Sequence, residues 1–215
     1  MEAGETLDHE SRSALCAKKK WRDRLIALAS RHADWVLGFQ DEVWWSRLAQ
    51  PNLHAWTDAK PLRLIQNEPD RHDPEPKAVA CDGLLRADTQ GMLLRFVDGR
   101  PISAMTTQFL AWLTARLAAE GKMALLLVWD TASWHVSQAV HVWLKAHNRR
   151  VKHEGGCRIV VCRLPSKSPW LNRIEPKWVH GKRAIAEPDR KWGVDERKHR
   201  ICTYYKCELL EPIAQ

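Results

Sequence analysis

The apolar run MALLLVWD, at Met123–Asp130, most constrains what this chain can fold into. The run is too short to cross a membrane, and it ends abruptly in a carboxylate. Such a run is typical of a central strand in a sheet that is covered on both faces. Asp130 therefore stands at the carboxyl end of a buried strand, where open α/β sheets usually place their ligands.

The segments on either side of this strand have the periodicities of further strands and helices. Strand patterns lie at 35–40, 54–57, 62–66, 77–86, 92–97 and 158–164. Helical spacing predicts helices at 18–31, 106–120 and 133–147, and a further one from about residue 172. Gly121 is the expected stop of the second helix and Ser133 the expected cap of the third. Strands followed by alternating helices and strands predict an α/β fold, with a mixed central sheet and helices on both faces.

The length of 215 residues, 45% of them apolar, suits one well-buried domain with appendages. We expect a helical lead-in at 1–34, a main domain at 35–190 and a helical tail at 191–215. The 12 tryptophans are many for this length. Trp112 and Trp143 fall on apolar helix faces, which predicts that they belong to the core.

The positive charge is concentrated in one part of the chain. Residues 149–200 hold 15 Lys and Arg against 6 Asp and Glu, whereas residues 1–148 balance at 18 against 18. A neutral body with one basic third favours an anionic partner along one surface, and nucleic acid is the leading candidate. A solvated basic face without a partner is the alternative.

The six cysteines include no CxxC pair, and the amino terminus is not a basic-then-apolar leader. Reduced thiols in a cytoplasmic protein without membrane attachment are therefore expected. Zinc is the alternative, because His153, Cys157 and Cys162 lie close together and Cys202 and Cys207 could complete a site. The spacings are irregular, however, and Cys162 falls in an apolar run where a thiol packs as a small hydrophobe.

Two more acids, Asp41 and Glu175, stand where they can join Asp130. Asp41 follows the first predicted strand and Glu175 lies on a later predicted helix, so the three meet if the first and central strands are neighbours. Carboxylates bind hard cations such as Mg²⁺, and two ions about 4 Å apart activate the attacking oxygen and stabilise the leaving oxygen of a phosphodiester. Spacing alone is weak support, since any chain of this length offers many such triplets.

The sequence around these acids is more specific than their spacing. Residues 39–44 are FQDEVW, residues 127–135 are LVWDTASWH and residues 164–178 are LPSKSPWLNRIEPKW. These blocks strongly resemble the transposases of bacterial insertion sequences related to the mariner group, members of the DDE superfamily. That family has a strand ending in Asp-Asn-x-x-x-His and, later, a Leu-Pro-x-x-Ser-Pro-x-Leu-Asn-Pro-Ile-Glu block. The resemblance extends over residues 35–185.

The resemblance implies a ribonuclease H-like fold, with Asp41, Asp130 and Glu175 as catalytic residues that bind two Mg²⁺ or Mn²⁺ ions. The implied activity is nicking of double-stranded DNA at transposon ends, followed by attack of the freed 3′-hydroxyl on target DNA. Members of the family normally carry upstream helix-turn-helix modules that recognise the terminal repeats. The first acidic motif begins by residue 41 here. We therefore expect either a homodimer or a partner chain that supplies the helix-turn-helix module.

Two positions depart from the family pattern. Thr131 follows the second acid where the family usually has Asn, and Arg173 precedes Ile-Glu where it usually has Pro. Both positions flank the expected metal ligands. Arg173 could bind phosphate, or it could compete with a metal ion for Glu175.

Each acid also has an ordinary structural interpretation. Glu175 lies three residues after Asn172 and fits the far half of a helix capping box. Asp130 fits a cap of the turn that follows it. Asp41 is followed by Glu42, and a strand points successive side chains to opposite faces, so at most one of the two faces the metals and the other is expected to be solvated.

Residues near the acids complete the candidate site. His135 could contact phosphate, orient a metal ligand or make a structural hydrogen bond. Asn172 is a second residue that we expect to support the site. Trp44, Trp45 and Trp170 are candidates for stacking on a splayed base, with core packing as the alternative. The basic side chains expected to neutralise DNA phosphates, without giving sequence specificity, are Lys167, Arg173, Lys177, Lys182 and Arg183.

Three functions stay open from the sequence. The first is an active transposase catalytic domain, acting in the bacterial cytoplasm at the nucleoid. The second is a decayed transposase fragment that only binds DNA or a partner, in which Thr131 and Arg173 mark the decay. The third is a ribonuclease H-type nuclease that acts on another nucleic acid.

Overall fold

Five strands form one mixed sheet in the order β3-β2-β1-β4-β5. The computed structural model describes residues 6–47, 72–99, 102–165, 168–185 and 192–214. The strands are β1 Trp35–Ser46, β2 Ala78–Arg86, β3 Met92–Val97, β4 Ala124–Trp129 and β5 Arg158–Arg163. The helices are α1 Thr6–Ala29, α2 Ser103–Ala119, α3 Gln138–Glu154, α4 Glu175–Ile185 and α5 Val194–Tyr205. The predicted α/β class with a mixed central sheet is confirmed.

Strand β1 lies at the centre of the sheet and is longer than predicted. It runs parallel to β4 and antiparallel to β2, and β2 pairs antiparallel with β3 as the predicted hairpin. The prediction that β1 ends at residue 40 is wrong. Residues up to Ser46 pair with β2, because the long hairpin strand offers hydrogen-bonding partners beyond the end of β4.

Helices cover both faces of the sheet, and each face has its own core. Helices α2 and α3 pack on the face that carries Leu125, Leu127 and Trp129 of β4. Residues from α1, α4 and α5 pack with Leu126 and Val128 on the opposite face. We call these the α2/α3 face and the α4/α5 face. Strand β4 is wholly buried, as its continuous apolar sequence predicts.

Both ends of the described chain pack against this sheet. Leu25 of α1 and Ile201 of α5 lie in the core of the α4/α5 face. Beyond α5 the chain is extended, and Ile213 forms a parallel bridge with Val97. The expected tail at 191–215 is therefore helical only over α5. The predicted domain limits stay predictions.

Several other predictions differ in detail. Helix α1 starts well before residue 18 and α2 starts three residues before Thr106. Helix α3 is capped by Ser137, whose Oγ accepts from the Val140 amide, so the prediction that Ser133 caps it is wrong. Gly121 follows α2 with a positive φ, as predicted for a helix stop.

The predicted strands at 54–57 and 62–66 lie outside the described residues. No described helix is long and apolar enough to span a membrane.

Candidate active site

The register of the two central strands places Asp41 beside Asp130. Phe39 pairs with Val128 in the parallel β1–β4 ladder, and both side chains lie in the core of the α4/α5 face. Each acid comes two residues after one of these partners, so the pleat turns both carboxylates toward that face. The sequence predicted that Asp41 follows the end of β1, but Asp41 lies within that strand. Asp130 follows the last residue of β4, as predicted.

Glu175 lies on the same face of the sheet, at the start of helix α4. It is the first residue of α4, and with Asp130 it lines a cleft of about 140 Å³. Burial raises the pKa of Glu175, and the charge of Asp130 raises it further. Burial also raises the pKa of Asp41, to about 8, with contributions from Glu42, Glu175 and Asp130. The three predicted acids therefore share one electrostatic environment at one edge of the sheet.

The Asp41 carboxylate is held by a tryptophan of α4. Trp178 Nε1 donates to Asp41 Oδ2 over 3.1 Å, and the buried Trp178 ring packs edge-on against Trp45 and Tyr205. Gly83 of β2 lies directly opposite Asp41 and makes room for this ring. A Cβ atom at Gly83 would lie 2.7 Å from Cζ2 of Trp178, so the absence of a side chain there is what lets the indole reach Asp41.

The Asp130 carboxylate is held by a histidine and a backbone amide. Its Oδ1 atom contacts Nδ1 of His135 and accepts from the Ala132 amide over 3.1 Å. The other ring nitrogen of His135, Nε2, is bonded to Oε1 of Glu42. Burial lowers the pKa of His135, but the two carboxylates outweigh burial and raise the pKa to about 9. His135 is fully buried and both ring nitrogens contact carboxylates, so neither nitrogen is available to contact a phosphate.

Asn172 fastens the start of α4 to β1. Its Nδ2 atom donates over 2.9 Å to the main-chain oxygen of Gln40, the residue before Asp41. The predicted capping box with Glu175 is not formed, because the Asn172 side chain is committed to β1 and Glu175 is the first helical residue rather than the third. This connection holds Glu175 close to the strand that carries Asp41.

Glu42 is buried, which corrects the expectation that the neighbour of Asp41 is solvated. Its side chain is only 7% exposed and points to the α2/α3 face, toward His135. Asp82 of β2, opposite Glu42 in the ladder, is also buried, and the pKa of Asp82 is raised well above its usual range by burial and by Glu42. Sequence reasoning missed Asp82. An acid inside the apolar stretch KAVACDGLLR was the only available signal.

The predicted DNA-contacting side chains lie around the cleft and along α4. Arg173 is exposed and its guanidinium stacks over the Phe39 ring at 5.7 Å; among the described residues it forms no ion pair with Glu175. Lys182 and Arg183 are exposed, Lys177 is half-buried, and Lys182 lowers the pKa of Glu175. Lys167 lies outside the described residues.

The predicted aromatic candidates separate by burial. Trp45 is fully buried, so it belongs to the core and cannot stack on a base. Trp44 is exposed but points to the face opposite Asp41. Trp170, in the 3₁₀ turn before Asn172, is 70% exposed beside the cleft. Trp112 and Trp143, predicted for the core, lie half-buried at the edge of the α2/α3 face.

The zinc alternative finds no support in the described part of the chain. Cys157 and Cys162 belong to the cores of opposite faces of the sheet, so they cannot share an ion. More generally, no three His, Cys, Asp or Glu side chains within the described ranges are arranged to hold one metal ion together. The carboxylates of the cleft are already tied to protein donors, Asp41 to Trp178 and Asp130 to His135.

Comparison with known proteins places this geometry in context. Residues 94–197 match the family model of the DDE superfamily endonucleases. No curated protein sequence matches the chain. Among solved structures, the Mos1 transposase paired-end complex with left transposon end is 16% identical, with a TM-score of 0.61, over 89% of this chain and 54% of that one.

Two further structures give the same result. The Mos1 mariner paired-end complex with Mn is 17% identical, with a TM-score of 0.61, over 89% of this chain and 54% of that one. The catalytic domain of Mos1 mariner transposase is 15% identical, with a TM-score of 0.53, over 89% of this chain and 80% of that one. At such identities the likeness establishes the fold, and this chain spans about half the length of the transposases in the complexes.

The shared fold confirms the predicted ribonuclease H-like architecture. The family match includes β4 with Asp130 and the start of α4 with Glu175, which are the two blocks on which the resemblance rested most. Residues 94–197 are therefore similar in sequence to the DDE superfamily endonucleases, and the chain shares the ribonuclease H-like fold of the Mos1 catalytic domain.

Proposed function

We propose that this chain is the catalytic domain of a DNA transposase, which nicks DNA at transposon ends and joins the freed 3′-hydroxyl to target DNA. The observation that carries the proposal is the convergence of Asp41, Asp130 and Glu175 on one face of the sheet, from three different elements. The match of residues 94–197 to the DDE superfamily endonucleases and the fold shared with the Mos1 catalytic domain support it.

We propose Asp41, Asp130 and Glu175 as the ligands of two Mg²⁺ or Mn²⁺ ions. The donor set fits hard divalent cations, since all three side chains offer carboxylate oxygens. Their mutual repulsion, which helps to raise the pKa of Asp41, is what bound cations would relieve. Two ions share the ligands between them, so no three acids need to surround one ion. When bound, such ions supply activation of the attacking oxygen and stabilisation of the leaving oxygen.

The residues around the acids keep the carboxylates in place for this chemistry. Trp178 holds one oxygen of Asp41 and His135 holds one oxygen of Asp130, so each acid is oriented before substrate arrives. Asn172 fixes the start of α4 against β1, which sets the position of Glu175. The packed cores on both faces leave the rim of the cleft as the route for a DNA backbone.

The exposed cations beside the cleft suit double-stranded DNA, at transposon ends and at the target. Arg173, Lys182 and Arg183 lie on the acid-bearing side of the sheet and would neutralise phosphates there, together with Lys167 and Lys177. We propose that terminal-repeat recognition comes from a helix-turn-helix module on a partner chain or on a longer form of this protein. We further propose that the domain works as a homodimer in the cytoplasm.

Strand transfer with a pre-nicked transposon end tests this function directly. The chain, a labelled DNA end with a free 3′-hydroxyl and a target plasmid are incubated with Mn²⁺, and joined product is measured on a gel. Joining by the wild-type chain, and its loss by more than 100-fold in Asp130→Asn, is the expected result.

Other outcomes lead to different conclusions. A folded chain that binds DNA but gives no product in Mn²⁺ would favour the alternative of a DNA-binding remnant, in which Thr131 and Arg173 mark the decay. Cleavage of an RNA–DNA hybrid without strand transfer would replace the transposase assignment with a ribonuclease H-type nuclease. The Asp98→Asn variant, which changes an exposed acid that does not line the cleft, serves as the matched control.

A further inference from the structure

A polar cluster lies buried in the α2/α3 face, beneath the carboxylates of the cleft. Gln40 and Asp82 are each 1% exposed, and His135 is fully buried. Burying polar and charged groups inside an apolar layer is costly unless they are bonded to one another. Apolar residues would stabilise the same layer at lower cost, so the cluster calls for a role beyond packing.

The cluster forms one continuous chain of contacts across three strands. Gln40 Nε2 donates to Oδ1 of Asp82 over 3.4 Å and to Oε1 of Glu42 over 3.2 Å. The same Glu42 oxygen contacts Nε2 of His135, and the opposite side of that ring contacts Oδ1 of Asp130. The contacts therefore run from β2, through β1, to the acid that follows β4.

The series of contacts passes from one face of the sheet to the other at His135. Glu42 points to the α2/α3 face and Asp130 to the α4/α5 face, and the ring bridges them just beyond the end of β4. The Trp129 ring packs on the imidazole with centroids 4.2 Å apart, which fixes its plane. With both nitrogens bonded and one face covered, the ring has a single orientation, and that orientation sets the Asp130 carboxylate.

We propose that Glu42 and Asp82 are positioning residues that, through Gln40 and His135, hold Asp130 in the orientation in which it binds a divalent metal ion. This inference rests on the proposed function, since it takes Asp130 as a metal ligand. Neither Glu42 nor Asp82 faces the cleft, so each can affect a bound metal ion only through the series of contacts that ends at Asp130. Removing a direct partner of a metal ligand typically lowers metal affinity by about 10- to 100-fold. His135 is that partner for Asp130, and Glu42 fixes His135 through its other ring nitrogen.

Direct titration of the full chain with Mn²⁺, by calorimetry and by the loss of the free-ion electron paramagnetic resonance signal, tests the proposal without any reaction. Glu42→Ala is expected to weaken Mn²⁺ binding by about 10-fold or more. Glu42→Gln keeps an acceptor for His135 and is expected to retain part of the affinity. Asp82→Ala, which removes the acceptor for Gln40, is expected to weaken binding several-fold, and Asp98→Asn to leave it unchanged.

A purely structural role predicts a different pattern. In that case the variants would lower the free energy of unfolding, measured by urea denaturation, while folded Glu42→Ala and Asp82→Ala bind Mn²⁺ within twofold of wild type. That result would overturn the inference and leave the metal site standing. If the wild-type chain itself binds no Mn²⁺ in the millimolar range, the proposed metal site fails, and the positioning role fails with it.

Discussion

Asp41 and Glu42 are neighbours in sequence, yet the pleat of β1 gives them different environments. Asp41 points to the α4/α5 face, among other acids and beside the Trp178 indole. Glu42 points to the α2/α3 face, where His135 is a cationic partner for it. Two neighbouring acids of β1 therefore have opposite surroundings, with other acids around Asp41 and the imidazole of His135 beside Glu42.

The raised pKa of Asp41 predicts how the stability of the metal-free chain depends on pH. Asp41 has a pKa of about 8 when folded, against an ordinary 3.8, so the folded state binds the extra proton between these values. The free energy of unfolding must then fall as the pH rises from about 4 to about 8. Replacing Asp41 with Asn removes this loss and keeps an acceptor for Trp178. We expect Asp41→Asn to be more stable than wild type at pH 8 by on the order of 2 kcal/mol.

Urea denaturation in the presence of a chelator measures this difference. The stability advantage of Asp41→Asn should shrink as the pH is lowered toward 4, because Asp41 then becomes protonated in the unfolded chain as well as in the folded one. It should also shrink at pH 8 when Mn²⁺ is added, since cations offset the repulsion. An advantage of equal size at both pH values would contradict the assigned environment of Asp41. The Asp98→Asn variant controls for removal of an exposed acid.

Strand β1 and helix α4 together position two of the three acids. Strand β1 carries Asp41 and, through the Gln40 carbonyl, accepts the hydrogen bond of Asn172. Helix α4 begins with Glu175 and, one turn later, places Trp178 against Asp41. Two hydrogen bonds thus join these elements, one from Asn172 just before α4 and one from Trp178 in its first turn. Gly83 on the neighbouring strand leaves the space that the Trp178 ring requires.

Loss of the Asn172 bond should therefore loosen the site as well as the fold. Asn172→Ala leaves the buried Gln40 carbonyl without its donor, which costs about 1–3 kcal/mol in the free energy of unfolding. Because Glu175 follows three residues later, strand-transfer rate should fall by about 10-fold or more at saturating Mn²⁺. Denaturation and single-turnover kinetics give the two numbers. Thr203→Ala on α5, which removes an exposed side-chain bond to His199, is the control and should change neither much.

The elements that could be predicted from sequence are those with a strong local pattern. The apolar run of β4 and the hairpin of β2 and β3 depend on residues close together in the chain, so periodicity was sufficient. The length of β1 was not predictable in this way. Its second half contains two acids and an exposed tryptophan, and it is a strand because β2 supplies partners for it. Pairing of this kind is a property of the assembled sheet.

The same distinction holds for the candidate site. Asp41, Asp130 and Glu175 were found through short motifs, and the structure brings them to one face. The partners of these acids come from elsewhere in the chain: Trp178 for Asp41, and Glu42 for the histidine that holds Asp130. No sequence pattern connects Asp82 with Glu42, because only the antiparallel register places them opposite each other.

At the scale of the whole molecule, the two faces of the sheet carry different basic surfaces. Helix α4 presents Lys182 and Arg183 on the side of the cleft, and helix α3 presents Lys145 and Arg149 on the opposite side. The net charge of +8 attracts DNA to the molecule in general. Only cations near the acids, however, can contact the backbone of a DNA end that lies in the cleft.

Salt dependence separates these two surfaces. Each phosphate contact releases counterions and adds about 0.9 to the slope of log binding constant against log salt concentration. Lys182→Gln with Arg183→Gln should therefore lower the slope by about 1.8 for a short duplex, measured by fluorescence anisotropy across a series of KCl concentrations. Lys145→Gln with Arg149→Gln removes the same charge from the opposite face, so it should change the slope by less than half as much. If both pairs lower the slope equally, DNA is bound by net charge alone, and α4 is not part of a defined path into the cleft.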